Sequence, residues 1–116
     1  MEVKLSTVPV PSGATVRICV DVTAPLNITP FVAQQTVNAF VVTEISSQLR
    51  SEPPDLVVGE SLRWSVPVVL TSPVRGLVGK VGEILVDATT GELLIDAETV
   101  RRMTDDVRRL SERSPL

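Results

Sequence analysis

The segment from residue 62 to residue 95 constrains the fold more than any other part of the chain. Hydrophobic side chains alternate with others along residues 62–70 and again along residues 84–87, which is the period of strands that bury one face. Asp87 can stabilise a turn after the second run, and Gly91 can adopt the positive φ that such a turn requires. The segment therefore predicts antiparallel strands with Asp87 and Gly91 as structural turn residues.

The alternation also assigns side chains to faces of the sheet. Trp64 falls on the face that should lie against a helix, whereas Val69 and Leu85 fall on the other face of their strands. An apolar pair on that second face is covered by another element or contacts a partner. Pro67 lacks a backbone N–H, so its strand is predicted to be an edge strand or to be bulged at this residue.

A long helix is predicted before these strands, from Pro30 to about Leu49. Thr29 can cap its first turn, and proline suits the first helical position because the N–H it lacks has no intrahelical acceptor there. Prolines at positions 53 and 54 end the pattern. The residues that form an apolar stripe at spacings of three and four are Ala33, Val37, Phe40, Val41, Ile45 and Leu49.

A second, C-terminal helix is predicted to begin after the capping residue Asp96. Its narrow apolar stripe consists of Val100, Met103, Val107 and Leu110, and the residues from position 96 onward include five acids and five bases. Such a stripe can pack on the helix's own sheet, or it can lie in the groove of a partner. The sequence leaves both alternatives open.

Together these patterns predict one α+β domain over residues 1–116. It comprises N-terminal strands over residues 1–28, a helix over 30–50, a β-meander or hairpin over 55–95 and a C-terminal helix over 96–113. The expected fold class is an antiparallel sheet of about 4–5 strands packed against a long helix, with a C-terminal amphipathic helix. Alternating hydrophobic residues at positions 16, 18, 20 and 22 predict one of the N-terminal strands.

The composition excludes several kinds of chemistry. The chain has no histidine and a single cysteine, Cys19, so a zinc site and Ser-His-Asp or Cys-His catalysis within one chain are not expected. The net charge of −3 includes no concentrated basic patch, which argues against binding nucleic acid. We therefore expect no catalytic residues, no cofactor and no metal, and we do not expect an enzyme.

The location of the protein is predicted to be cytoplasmic. A single cysteine permits no intrachain disulfide, and residues 1–6 show no long apolar run behind positive charges. The sequence also lacks a run of about 20 apolar residues, so no association with a membrane is expected.

Two short motifs resemble a known family. Trp64-Ser65-Val66 on a strand, followed by Val86-Asp87-Ala88 with Thr90-Gly91-Glu92 at a turn, resembles a PepSY-type module. The resemblance covers roughly residues 31–95. It implies a cystatin-like helix-on-sheet fold and a non-catalytic role in binding or inhibition.

The function predicted from these observations is that of a non-catalytic interaction module, which binds a protein partner or self-associates as a homodimer. The candidate interaction residues are Trp64, Val69, Leu85, Val100, Met103, Val107 and Leu110. For Trp64 the alternative is a core position beneath the first helix, which is the commoner place for a tryptophan on the buried face of a strand. Two further functions stay open: an antitoxin-like or accessory regulator of a toxin enzyme, and a small-molecule-binding domain with a cavity between helix and sheet.

Overall fold

A computed structural model describes residues 3–5 and 23–113 of the chain. The strand predicted around positions 16–22 lies outside the described residues. In chain order the elements are β1 Val3–Leu5, α1 Pro30–Glu44, β2 Leu49–Ser51, β3 Asp55–Val58, β4 Leu62–Ser72, β5 Gly76–Asp87, β6 Leu93–Leu94 and α2 Ala97–Arg113. No helix among these elements is both long enough and apolar enough to cross a bilayer.

The six strands form one antiparallel sheet in the order β1-β3-β4-β5-β6. The remaining strand, β2, also pairs with β4, beyond the stretch that β3 occupies. The sheet thus has five lateral positions, one of which is shared by β2 and β3. The predicted α+β class with an antiparallel sheet is confirmed, while the strand number exceeds the prediction because the region between α1 and β4 supplies two short strands.

β4 and β5 form a long hairpin that is the centre of the sheet. Their register runs from the pair Arg63 and Asp87 to the pair Ser72 and Gly76, with irregularities between Val68 and Val69 and between Leu70 and Thr71. At the tip, Ser72 Oγ accepts hydrogen bonds from Val74 N and Arg75 N. Gly76 has a φ of +75°. This tip projects beyond the shorter strands.

The position of Pro67 corrects one prediction. β4 is an interior strand with partners on both sides, so of the two predicted alternatives the edge strand is wrong. A register irregularity does lie close to Pro67, between Val68 and Val69. The carbonyl of Pro67 accepts from Glu52 N, in the break between β2 and β3 that contains Pro53 and Pro54. Because the N and C=O of one residue in an antiparallel strand face the same neighbour, the missing donor of Pro67 faces this break rather than an intact ladder.

The first helix begins as predicted and ends earlier. Thr29 Oγ1 accepts from Val32 N at 3.1 Å, and Pro30 is the first helical residue. The helix ends at Glu44, whereas Leu49, predicted to be helical, begins β2 and is buried there. Ser46 turns the chain: its hydroxyl accepts from Gln48 N, and its carbonyl accepts from Leu49 N. Serine favours such turns over continued helix.

Both helices cover the same face of the sheet. Ala33, Val37 and Val41 of α1 are fully buried in the core cluster with the apolar residues of β4 and β5. α2 packs on β5, where Met103 and Leu110 lie in van der Waals reach of Gly82 and Gly79. The two glycines face α2, and a Cβ on Gly79 or Gly82 would meet these side chains at ordinary contact distances of 3.5 and 3.7 Å.

Candidate interaction site

Trp64 is a core residue of the monomer. Its side chain is 7% exposed, and the indole Nε1 donates to the carbonyl of Ile28 at 2.7 Å. This bond satisfies the polar atom of the ring and fixes the chain just before α1 begins. Trp64 thus occupies the core position that was the alternative to an interaction role. Its low exposure gives no support to the predicted interaction role.

The apolar stripe of α2 is used within the monomer. Met103 is buried in the core cluster, and Val107 and Leu110 pack against that cluster while Val100 is half-buried. The charged side chains point largely away from β5 and include a close ion pair between Arg109 and Asp106 at 2.6 Å. Of the two arrangements that the sequence left open, the structure has the C-terminal helix packed on its own sheet.

Val69 and Leu85 lie on the sheet face opposite to the helices. Val69 is buried, and Leu85 is half-buried across from Ser65 on β4 and Leu94 on β6. Leu94 is the more exposed neighbour. The side chains predicted to form an apolar patch are thus on the expected face, but little of Val69 is available to a partner.

The turn after β5 is held by Asp87. Its Oδ1 accepts from Thr89 N and Thr90 N at 2.8 and 2.9 Å, and these bonds, Thr90's first, lower the pKa of the Asp87 carboxyl below its usual value of 3.8. Gly91 donates its N–H to the Asp87 carbonyl and has a φ of +82°. This left-handed conformation is the one that the sequence predicts for Gly91.

The same turn fixes the start of α1. The carbonyl of Ala88 accepts from the N–H groups of Asn27 and Ile28, and Thr89 Oγ1 donates to Pro25 O at 2.6 Å. These bonds join residues far apart in sequence and leave the turn atoms bonded within the chain. The turn is therefore a structural clamp that orients α1 on the sheet.

The outward side of α1 is the most apolar exposed helix surface among the described residues. Phe31, Val32 and Val42 are 57%, 44% and 38% exposed. We call the exposed surface that they form with Gln35, Ala39 and Thr43 the outer face of α1. Because Ala33, Val37 and Val41 on the inner side are also apolar, α1 has apolar residues on both its inner and its outer side, as do helices that are covered on both sides.

The two helices differ strongly in how many charged residues they carry. α1 carries a single charged residue, Glu44 at its last position, whereas α2 alternates acids and bases over most of its length. A helix side that stays in water is normally charged, as that of α2 is. The outer face of α1 therefore lacks the side chains that keep a solvent-facing helix hydrated.

A groove of about 520 Å³ borders the outer face, between α1 and β2. Its polar lining is bonded internally: Ser51 N donates to Asn38 Oδ1, Gln34 Nε2 donates to Ser51 O, and Ser51 Oγ donates to Gln34 O. These bonds cover the backbone of Ser51, so α1 blocks the addition of a further strand at this point.

Metal-ligating or catalytic groups do not converge at this site. Within residues 3–5 and 23–113, no three His, Cys, Asp or Glu side chains are grouped so as to hold a metal ion. Besides Asp87, Asp96 has a lowered pKa, because its carboxylate accepts hydrogen bonds from Thr99 as the cap of α2. Both carboxyls act in local structure, and neither lies in the groove.

The sequence analysis missed the outer face. The predicted stripe is correct for Ala33, Val37 and Val41, whereas its last residue, Leu49, lies in β2. The pattern assigned no role to Phe31, Val32 and Val42 on the remaining side of α1. The available signal was the absence of charge from residues 30–43, because a surface helix of that length is expected to carry charged residues on its solvent side.

Comparison of the chain with protein-family models, with curated proteins and with solved structures finds no match in any of the three. The PepSY resemblance therefore rests on its motif residues alone. In the structure those residues have local roles, Trp64 in the core and Asp87 with Gly91 in the turn.

Proposed function

We propose that this chain is a non-catalytic protein-interaction module that binds through the outer face of α1. The observation that carries the proposal is the exposure of Phe31, Val32 and Val42 on a helix with a single charged residue. Exposed apolar side chains grouped on one side of a helix are typical of interaction sites, since exposed apolar area is removed from water when a partner covers it.

The chemistry of the face favours a protein over a lipid surface. α1 carries no lysine or arginine, whereas helices that lie on membranes pair their apolar side with basic residues that contact anionic headgroups. The apolar side chains are instead interspersed with small and amide-bearing residues such as Ala39 and Gln35. Such a surface suits the apolar centre of a protein interface, from which charged residues are depleted.

A small molecule fits the site less well. The volume of the groove is within the range of ligand pockets, but Gln34, Asn38 and Ser51 already bond to one another there. The space between α1 and the sheet is occupied by Ala33, Val37 and Val41. A toxin enzyme stays one candidate partner class among proteins, and the outer face does not select it over others.

The test compares two substitutions of the same kind at two exposed valines. Val32→Glu places a charge on the outer face, and Val74→Glu places one at the tip of the β4–β5 hairpin, where Val74 is 79% exposed. Each variant and the wild type is immobilised, and the proteins retained from host extract are quantified together with retention of the chain itself.

We expect Val32→Glu to lose the retained protein and Val74→Glu to keep it. Val32 is the third helical residue after the cap Thr29, where glutamate favours the helix by completing a capping box. Loss of binding by Val32→Glu is thus not explained by unfolding of α1, which circular dichroism verifies. Equal retention by Val32→Glu and the wild type would contradict the proposal.

A further inference from the structure

We propose that Ser111, in the last turn of α2, accepts a phosphoryl group from a protein kinase that selects arginine before the acceptor hydroxyl. The inference is independent of the proposed function, because Ser111 and the outer face lie on different helices. It follows from a short motif that α2 contains twice and from the different surroundings in which the structure places the two hydroxyl groups.

The motif consists of two arginines, one apolar residue and one hydroxyl-bearing residue. Its copies are Arg101-Arg102-Met103-Thr104 and Arg108-Arg109-Leu110-Ser111. Kinases recognise the charge pattern around the acceptor, and those that select arginine two and three residues before it bind the guanidinium groups with carboxylates. Both copies therefore carry the side chains that a kinase of this class recognises.

The first copy is protected by the fold. The Thr104 hydroxyl donates to the carbonyl of Val100 at 2.8 Å, and Thr104 is half-buried in the middle of α2. Because a kinase takes its substrate as an extended segment, residues 101–104 would have to leave the helix. Met103, which is 2% exposed, would then leave the core cluster. The burial of Met103 therefore opposes the local opening that Thr104 requires.

The second copy lies where α2 opens more easily. Ser111 is exposed, and α2 ends at Arg113, so the last carbonyl groups of the helix have no intrahelical donor and this end frays. The apolar residue of this copy, Leu110, is half-buried and packs against the core cluster rather than within it. Opening of the last turn thus exposes less apolar surface than opening at Met103.

Both arginines before Ser111 can be reached by a kinase. Arg108 is exposed, and Arg109 is exposed although it pairs with Asp106 at 2.6 Å within the helix. An ion pair between exposed side chains contributes little to stability. Carboxylates of a kinase can therefore replace Asp106 as the partner of Arg109.

The reaction transfers the γ-phosphoryl group of ATP to the Ser111 hydroxyl. A bond forms between Ser111 Oγ and the γ-phosphorus, the bond from that phosphorus to the β–γ bridging oxygen breaks, and ADP leaves. The hydroxyl proton passes to the catalytic base of the kinase. This chain supplies the acceptor and the arginines, and the kinase supplies the base and binds ATP.

The test treats the folded chain with ATP and a purified kinase that selects arginine at both positions. Mass spectrometry then measures the phosphate on each residue over time. We expect Ser111 to be modified at least about 10-fold faster than Thr104, because opening at Thr104 must also expose Met103. Thr104 is the matched control, since its motif differs little in sequence and mainly in its place in the fold.

Two paired substitutions test whether the arginines direct the kinase. Arg108→Gln with Arg109→Gln should lower the rate at Ser111 at least about 10-fold, since two charge-assisted contacts with the kinase are lost. Arg101→Gln with Arg102→Gln, at exposed positions of the same helix, should leave that rate within about 2-fold, because such substitutions change stability little. Circular dichroism verifies that both variants are folded.

Phosphate must appear on Ser111 both with the purified kinase and with host extract supplemented with ATP, and its absence from either overturns the inference. Modification of Thr104 as fast as Ser111 would show that the fold does not select between the two copies. An equal loss of rate in the two arginine variants would show that the arginines before Ser111 are not what the kinase recognises. Each of these results contradicts the inference and leaves the proposed function of the outer face unaffected.

Discussion

At the scale of the residue, single side chains of the described structure mostly hold one segment to another. Trp64 is attached to Ile28, Thr89 to Pro25, and Asp87 to the turn that follows it. These contacts surround the start of α1 and the end of β5. Substitutions of these residues should therefore change the free energy of unfolding, because bonds within the chain are lost. The bonded atoms have no role at the outer face.

Asp87→Asn should make the stability of the protein less dependent on pH. The folded-state pKa of Asp87 lies below the usual 3.8, so its carboxylate contributes stability that is complete above that value. This stability is lost as pH falls through 3.8 toward the folded pKa, because the unfolded chain then binds the proton first. Asparagine keeps an acceptor oxygen and removes the charge.

The measurement is urea unfolding of both proteins across the acidic range. We expect Asp87→Asn to be less stable than the wild type near neutral pH and the difference to shrink at low pH. Asp96, whose pKa is also lowered, is present in both proteins, so its contribution cancels in the difference. A difference independent of pH would contradict this role of Asp87.

Two glycine substitutions distinguish the energetic cost of a left-handed backbone from the cost of crowding a neighbouring side chain. Gly91 and Gly76 both have positive φ, +82° and +75°, but a Cβ on Gly91 would lie 3.1 Å from Ile28 Cδ1 and one on Gly76 meets nothing within 4 Å. Gly76→Ala should cost about 1 kcal/mol of stability from its left-handed conformation alone.

Gly91→Ala should cost about 2 kcal/mol, because crowding of Ile28 adds to the same backbone term. Thermal or urea unfolding of the two variants gives both values. Equal costs would mean that Ile28 moves away freely and that the turn does not constrain the chain before α1.

At the scale of the element, the starts of the helices could be predicted from the sequence and the end of α1 could not. Thr29-Pro30 and Asp96 act through local hydrogen bonds that sequence reveals directly. Leu49 continues the helical spacing of the inner stripe by coincidence, and its place in β2 depends on pairing with Leu70 of β4. That pairing is tertiary, so the local pattern does not contain it.

α2 should contribute to stability through its apolar stripe rather than its charges. Met103 is 2% exposed and lies over Gly82, so Met103→Ala should lower the free energy of unfolding by about 3 kcal/mol through lost burial and an unfilled cavity. Arg108→Ala, at an exposed position of the same helix, should change it by less than about 0.5 kcal/mol.

Chemical unfolding of both variants gives the comparison. Similar small effects in the two would show that α2 is only loosely attached to β5 and that its stripe remains available to a partner.

At the scale of the whole molecule, the sequence predicts the fold class, but none of the interaction residues predicted from it lies on the outer face of α1. Alternation in β4 and β5 identifies the sheet and its buried face, and the absence of charge in α1 is visible once the helix is placed. Trp64 and Met103, two of the predicted interaction residues, are buried in the core. The sequence does not show whether an apolar residue is covered by other parts of its own chain. The outer face is therefore identified only from the packing in the structure.

The exposure of apolar side chains on the outer face follows from how α1 packs on the sheet. Phe31, Val32 and Val42 are exposed because the inner side of α1 already fills the space over the sheet with Ala33, Val37 and Val41. The clamp at Asp87 and Trp64 then orients the helix so that these side chains point outward. The proposed interaction site thus lies on a helix whose inner side is packed on the sheet, so binding would order little additional backbone.

The most direct test is the change in backbone amide chemical shifts of the wild-type chain, recorded by nuclear magnetic resonance, when the protein that it retains from host extract is added. We expect the amides around Phe31, Gln35 and Val42 to shift together on addition, because these residues form the outer face, while those of Val74 and Leu77 stay fixed. Shifts that do not change on addition, or that change at the hairpin tip instead, would contradict binding through the outer face of α1.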